Sequence, residues 1–98
     1  MSEKTIGIDT QKMIRCICEN LADFLVEKNK MYGDSALKPR QTFYKGDVKN
    51  SILIRLDDKL NRIQNAKQIK KNDCLDLAGY LVLLMVDNGW TEFSEFLD

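Results

Sequence analysis

Apolar and polar positions along this chain repeat at the three- and four-residue spacing of α-helices, in three stretches separated by turn-forming residues. Ile14, Ile17, Leu21, Phe24 and Leu25 share one side of the first stretch. It predicts a helix over residues 9–32, with Asp9 or Thr10 as N-cap and Gly33 in the left-handed position past its end. Residues 33–47 hold the only proline and two glycines, and are expected to form a connecting loop carrying Lys38, Arg40 and Lys45. After Asp47, the positions Ile52, Leu53, Leu56, Leu60 and Ile63 predict a second helix over 48–68. A third helix is expected over 73–88, capped by Asn72 or Asp73 and stopped at Asn88-Gly89. It is apolar nearly all round except for Asp76.

Residues 1–8 read as a loose arm. Residues 91–97 read as a short helix capped by Thr91, with Trp90, Phe93 and Phe96 covering the end of a bundle. No strand pattern, internal repeat or low-complexity segment is visible. The expectation is a single all-α domain over 1–98, a helical bundle of three main helices plus a short C-terminal helix. A helix without a polar face belongs in the centre of a bundle or between subunits, so homo-oligomerisation, to a dimer or tetramer, is expected to complete the core.

Composition narrows the chemistry. Lys+Arg and Asp+Glu stand at fifteen each in 98 residues, which argues against a general nucleic-acid or membrane-surface binder. The longest apolar run, Leu77–Val86, falls short of the ~20 residues that cross a bilayer, and the polar N-terminus lacks a signal-peptide core. There is no histidine, hence no Ser-His or Cys-His nucleophile and no HExxH zinc site. Neither a P-loop nor a Rossmann fingerprint is present. Cys16, Cys18 and Cys74 have no metal spacing and are expected to be reduced, partly buried thiols of a cytoplasmic protein. Carboxylates, amines and guanidinium groups remain, the groups of magnesium and phosphate chemistry.

Several of these groups have two readings. Glu19, Asp23 and Glu27 form a carboxylate row; the first two belong to a solvated stripe, whereas Glu27 lies near enough to the apolar boundary to turn towards a site. Lys28 projects onto the apolar arc, and either snorkels at the helix end or enters a pocket as a cation. On the second helix Arg55, Asp58, Arg62 and Asn65 share a rhythm, with Lys59 at its border. They form either a ladder in which Asp58 pairs with both arginines or a phosphate cradle with one metal-binding acid. Asp73 is explained by capping. Asp76 is not, because a charged, unpaired acid among apolar neighbours costs several kcal/mol even after relaxation. Gly79 in mid-helix costs ~1 kcal/mol relative to alanine and implies close packing or a ligand near the backbone.

Three segments taken together, EKNKMYGDS at 27–35, IRLDDKLNRIQN at 54–65 and DCLDLAGYLVL at 73–83, carry a resemblance. Their order is similar to that in small phage and bacterial proteins of the nucleotide-modification-associated type. Those look like distant relatives of the MazG-like, all-α nucleoside triphosphate pyrophosphohydrolases, and the similarity spans roughly residues 17–86. The resemblance implies an oligomer whose facing helices present carboxylates to Mg²⁺ and cleave a nucleoside triphosphate to monophosphate and pyrophosphate. It implies metal ligands at Asp58, Asp73, Asp76 and Glu27, with Asp58 and Asp76 catalytic. Lys28, Arg55, Lys59 and Arg62 would neutralise phosphates, and Asn29 and Tyr32 would position sugar or base. The chain departs from the family's acid pattern on the second helix, where Asn61 or Arg62 stands in place of a second acid. The expected function is therefore an Mg²⁺-dependent pyrophosphohydrolase-like protein acting on or binding (deoxy)nucleotides. The alternative is a small phage-type helical interaction protein, an inhibitor or regulator of a host protein or a nucleotide sponge, that keeps the fold without hydrolysis.

Overall fold

A computed structural model describes residues 7–33 and 47–97, with only the backbone of Gly7 and Ile8. The described residues are all-helical: α1 (Gly7–Tyr32), α2 (Val48–Asn65), α3 (Lys71–Asn88) and a single 3₁₀ turn (Ser94–Phe96), with no strand among them. The expected loop lies outside the described residues from 34 to 46, as does the arm up to residue 6. The chain divides after Gly33 into two units, each described by itself.

The first unit is α1. It begins at Gly7, two residues before the expected start, so Asp9 lies within the first turn rather than capping it. An acid there suits the positive end of the helix, as Lys30 suits its last turn. Gly33, at φ 59°, ends the helix in the left-handed conformation that glycine adopts without steric cost.

The second unit is an antiparallel pair. Asp47 caps α2, its Oδ1 accepting the Asn50 N–H at 2.7 Å. The helix stops at Asn65, three residues short of the expected end, because Ala66 turns extended at φ −81°, ψ 146° and starts the reversal. α3 begins two residues early, at Lys71. Lys70 is its N-cap and supplies no side-chain bond, so neither Asn72 nor Asp73 is the cap. Its other end closes as expected. Gly89 at φ 72° donates to Val86 O at 3.0 Å, and Trp90 donates to Met85 O at 2.9 Å, the paired bonds of a Schellman ending.

Ile52 and Leu56, a turn apart on α2, are the buried apolar side chains among the described residues. Gly79 is buried on α3, as close packing requires. The tail departs from expectation. Residues 91–97 form only the 3₁₀ turn, and Trp90, Phe93, Phe96 and Leu97 are exposed rather than laid over the unit's end. Glu92 is one reason: its Oε1 accepts the Ser94 N–H at 2.8 Å and so takes a donor at the point where a helix would start. The Ser94 hydroxyl and backbone N–H together hold the Glu92 carboxyl below the usual carboxylate range.

Candidate functional site

The inner side of the α2–α3 pair carries the candidate site. Ile52, Leu56, Lys59 and Ile63 follow one another at three- and four-residue steps on α2, and all are buried or half-buried. Across from them, Lys59 Nζ lies 3.1 Å from Asp76 Oδ2. Arg55 lies with its guanidinium carbon 6.0 Å from the centre of the Tyr80 ring, within cation–π reach. Going back four residues on α2 goes forward four on α3, which fixes the antiparallel register. The Lys59 side chain is 15% exposed and that of Asp76 37%, so the pair is half-covered and less screened than a surface ion pair. Asp76 thus has the cation that an acid in such a helix requires.

Asp73 sits one turn earlier on α3 and is only 5% exposed. Its side chain makes no hydrogen bond or ion pair among the described residues. Burying a carboxylate without a partner is costly, and its place in the first turn of α3 recovers only part of that cost through the helix dipole. It is the one candidate whose surroundings do not account for it.

Asp58 and Arg62 lie on other arcs of α2 than Lys59. Asp58 is exposed on α2, about 100° round the helix from Lys59. With Ser51, Ile54, Arg55, Asp57 and Asn61 it lines a surface depression of about 410 Å³. The expected ladder from Arg55 through Asp58 to Arg62 does not form among the described residues, because Arg55 turns to the Tyr80 ring instead. Arg62 is exposed in the last turn of α2. Glu27, Lys28, Asn29 and Tyr32 belong to α1. Glu27 faces Lys30 at 3.9 Å, with both side chains well exposed. Lys28 lies along its own helix, its Nζ 5.3 Å from the Phe24 ring and 5.7 Å from that of Tyr32. Neither expectation for Lys28 anticipated that arrangement, although the signal was present: aromatic residues stand four before and four after it. Cys16, Cys18 and Cys74 are free and exposed, not partly buried.

Among the described residues no group of three or more Cys, Asp or Glu side chains could hold a metal ion. Asp73 and Asp76 form a two-carboxylate set at most. One or two carboxylates are the number through which Mg²⁺ ordinarily binds, the rest of its shell coming from water and substrate phosphates. No helix of the described residues is long and apolar enough to cross a membrane. No protein-family model, curated protein or solved structure matches the chain.

The Lys59–Asp76 pair is open to a direct measurement. A double-mutant cycle with Lys59→Met and Asp76→Asn, read by urea denaturation, is expected to give a coupling energy of about 1 kcal/mol. A coupling indistinguishable from zero would mean that the contact does not hold the two helices together.

Proposed function

We propose that this chain is a nucleotide-binding protein of the MazG-like pyrophosphohydrolase type, working in the cytoplasm as a homodimer or homotetramer. One observation carries the reading. Lys59 of the second motif meets Asp76 of the third, Arg55 meets Tyr80, and Asp73 is buried one turn before Asp76 on the same helix. Cations on one helix and carboxylates on the facing one are the groups that receive a triphosphate and the Mg²⁺ it carries. Lys59 and Arg55 would neutralise phosphate oxygens, Lys59 exchanging part of its bond to Asp76 for the incoming anion. Asp73 and Asp76 would hold Mg²⁺, which when bound supplies Lewis-acid polarisation of the α-phosphoryl group and a more acidic water. The reaction so served is hydrolysis at the α-phosphorus, in which a water oxygen would replace the α–β bridging oxygen, pyrophosphate would leave with that oxygen, and the water's proton would pass to solvent. Free thiols suit a reducing compartment.

The test is incubation of the pure protein with nucleoside and deoxynucleoside triphosphates plus Mg²⁺, with products resolved by anion-exchange chromatography. Monophosphate and pyrophosphate are expected, and Asp76→Asn should reduce their formation about 100-fold, the scale for losing a metal-binding group. Absence of products, together with absence of any nucleotide-dependent rise in melting temperature, would overturn the reading.

A second reading rests on a different observation. Leu53, Ile54, Leu60, Leu81 and Val86 of α2 and α3 are exposed, more apolar surface than a hairpin with two buried apolar side chains conceals. A small helical protein that binds a host protein through that surface would show it too. Melting unaffected by any nucleotide, with a stable complex formed by a host protein, selects this reading.

A further inference from the structure

The two ends of the α2–α3 pair differ in charge and in apolar character. At the turn between the helices, Arg62, Lys67, Lys70 and Lys71 are exposed, with the exposed side chain of Ile69 among them. The acid at that end, Asp73, is buried. The start of α3 has no side-chain cap, and its dipole adds to the same sign. At the opposite end stand Asp47, Asp87, Glu92 and Glu95, with Lys49 as their cation, all exposed. Beside them the tail offers Trp90 at 58% exposure, Phe93 at 51%, Phe96 at 77% and Leu97 at 83%. Large aromatic side chains this exposed are unusual on a surface that meets only water, and aromatic anchors ringed by charge are typical of interfaces.

The tail is also ordered before it binds anything. The Schellman ending directs Trp90, the Glu92 carboxylate holds the Ser94 N–H, and bonds from Phe96 to Phe93 O and from Leu97 to Ser94 O close the 3₁₀ turn. A preordered segment loses less conformational freedom on docking. It cannot reach the basic turn of its own chain, because α3 has 18 residues and separates the two ends by about 27 Å. A second copy of this chain presents that turn, and its exposed Lys67, Lys70 and Lys71 complement Glu92 and Glu95 in charge.

We infer that the acidic, aromatic tail of one copy docks on the basic α2–α3 turn of a second copy, in a head-to-tail contact. Glu92 and Glu95 lie against Lys67, Lys70 and Lys71, and the tail aromatics cover Ile69. The contact is heterologous, so each added copy leaves one tail and one turn open, and the assembly either closes into a ring or extends. It uses none of the residues on which either functional reading rests, although a stable monomer would also remove the oligomer from the first.

Sedimentation velocity of the full chain over a range of concentrations tests it, at about 0.15 M and about 1 M salt, between which the screening length falls from about 8 to about 3 Å. Association is expected at the lower salt and should weaken at the higher. Glu95→Lys and Lys70→Glu/Lys71→Glu should each raise the dissociation constant about tenfold. Mixing the two charge-reversed variants should restore association between them. Phe96→Ala, at a position too exposed to affect folding, should weaken it by a similar factor. A chain that stays monomeric throughout, an assembly indifferent to salt and to both reversals, or a mixture that fails to associate would each overturn the inference.

Discussion

Ile52→Ala is expected to destabilise the chain by about 2–5 kcal/mol, the largest loss from any single truncation considered. Ile52 is 2% exposed, and with Leu56 it makes up the buried apolar set of the described residues. Removing three carbon atoms there loses their transfer free energy and leaves a cavity that two helices joined by a short turn can close only in part. Set against the 5–15 kcal/mol typical of whole domains, the loss is enough to populate unfolded chains at room temperature. Urea denaturation followed by circular dichroism reads it as a lower midpoint at unchanged slope. Ile52→Val should cost about 1 kcal/mol, and Ile54→Ala, at an exposed position two residues on, within about 0.5 kcal/mol of nothing. Equal effects at Ile52 and Ile54 would mean that association covers the outer face of α2 as thoroughly as α3 covers the inner one.

That contrast marks what periodicity conveys and what it leaves out. The three helices were legible because their apolar positions recur at helical spacing, and some ends were legible because local chemistry encodes them. Asp47 carries its own capping oxygen, and Gly33 and Gly89 take a conformation that other residues avoid. The turn at residues 66–70 has no such code: Ala66 and Lys70 bound it with backbone conformation alone, so α2 read three residues too long and α3 two too short. In the tail, the spacing of Trp90, Phe93 and Phe96 suggested a helix, but a side-chain bond from Glu92 to the backbone outweighed it. The ion pair across the two helices was legible by the same measure. Asp76 called for a cation on the neighbouring helix, and Lys59 is that cation. Spacing within α2 did not reveal which arc meets α3: Asp58, next to Lys59, is exposed on another arc, since adjacent residues point about 100° apart. The burial of Asp73 was hidden for a related reason: a polar residue next to a helix start reads as a cap until the start itself is located.

Asp73→Asn is expected to stabilise the chain by about 1–2 kcal/mol, against the usual direction for a change at a buried position. The amide keeps the volume and removes the charge. An unpaired carboxylate in such a place costs several kcal/mol after relaxation, whereas the dipole benefit it gains in the first turn of α3 is at most about 1 kcal/mol. The neutral side chain should therefore raise the urea midpoint. Asp76→Asn should lower it, since that change leaves Lys59 half-covered without its partner. Two aspartates three residues apart on one helix are thus expected to respond with opposite sign. The nucleotide reading adds a second readout: Asp73→Asn should lose the rise in melting temperature produced by triphosphate and Mg²⁺ while gaining stability without them, as a residue retained for binding at the expense of the fold would. A fall in stability at both positions would show that the Asp73 carboxylate stabilises the fold, and would remove the main reason for placing it in a site.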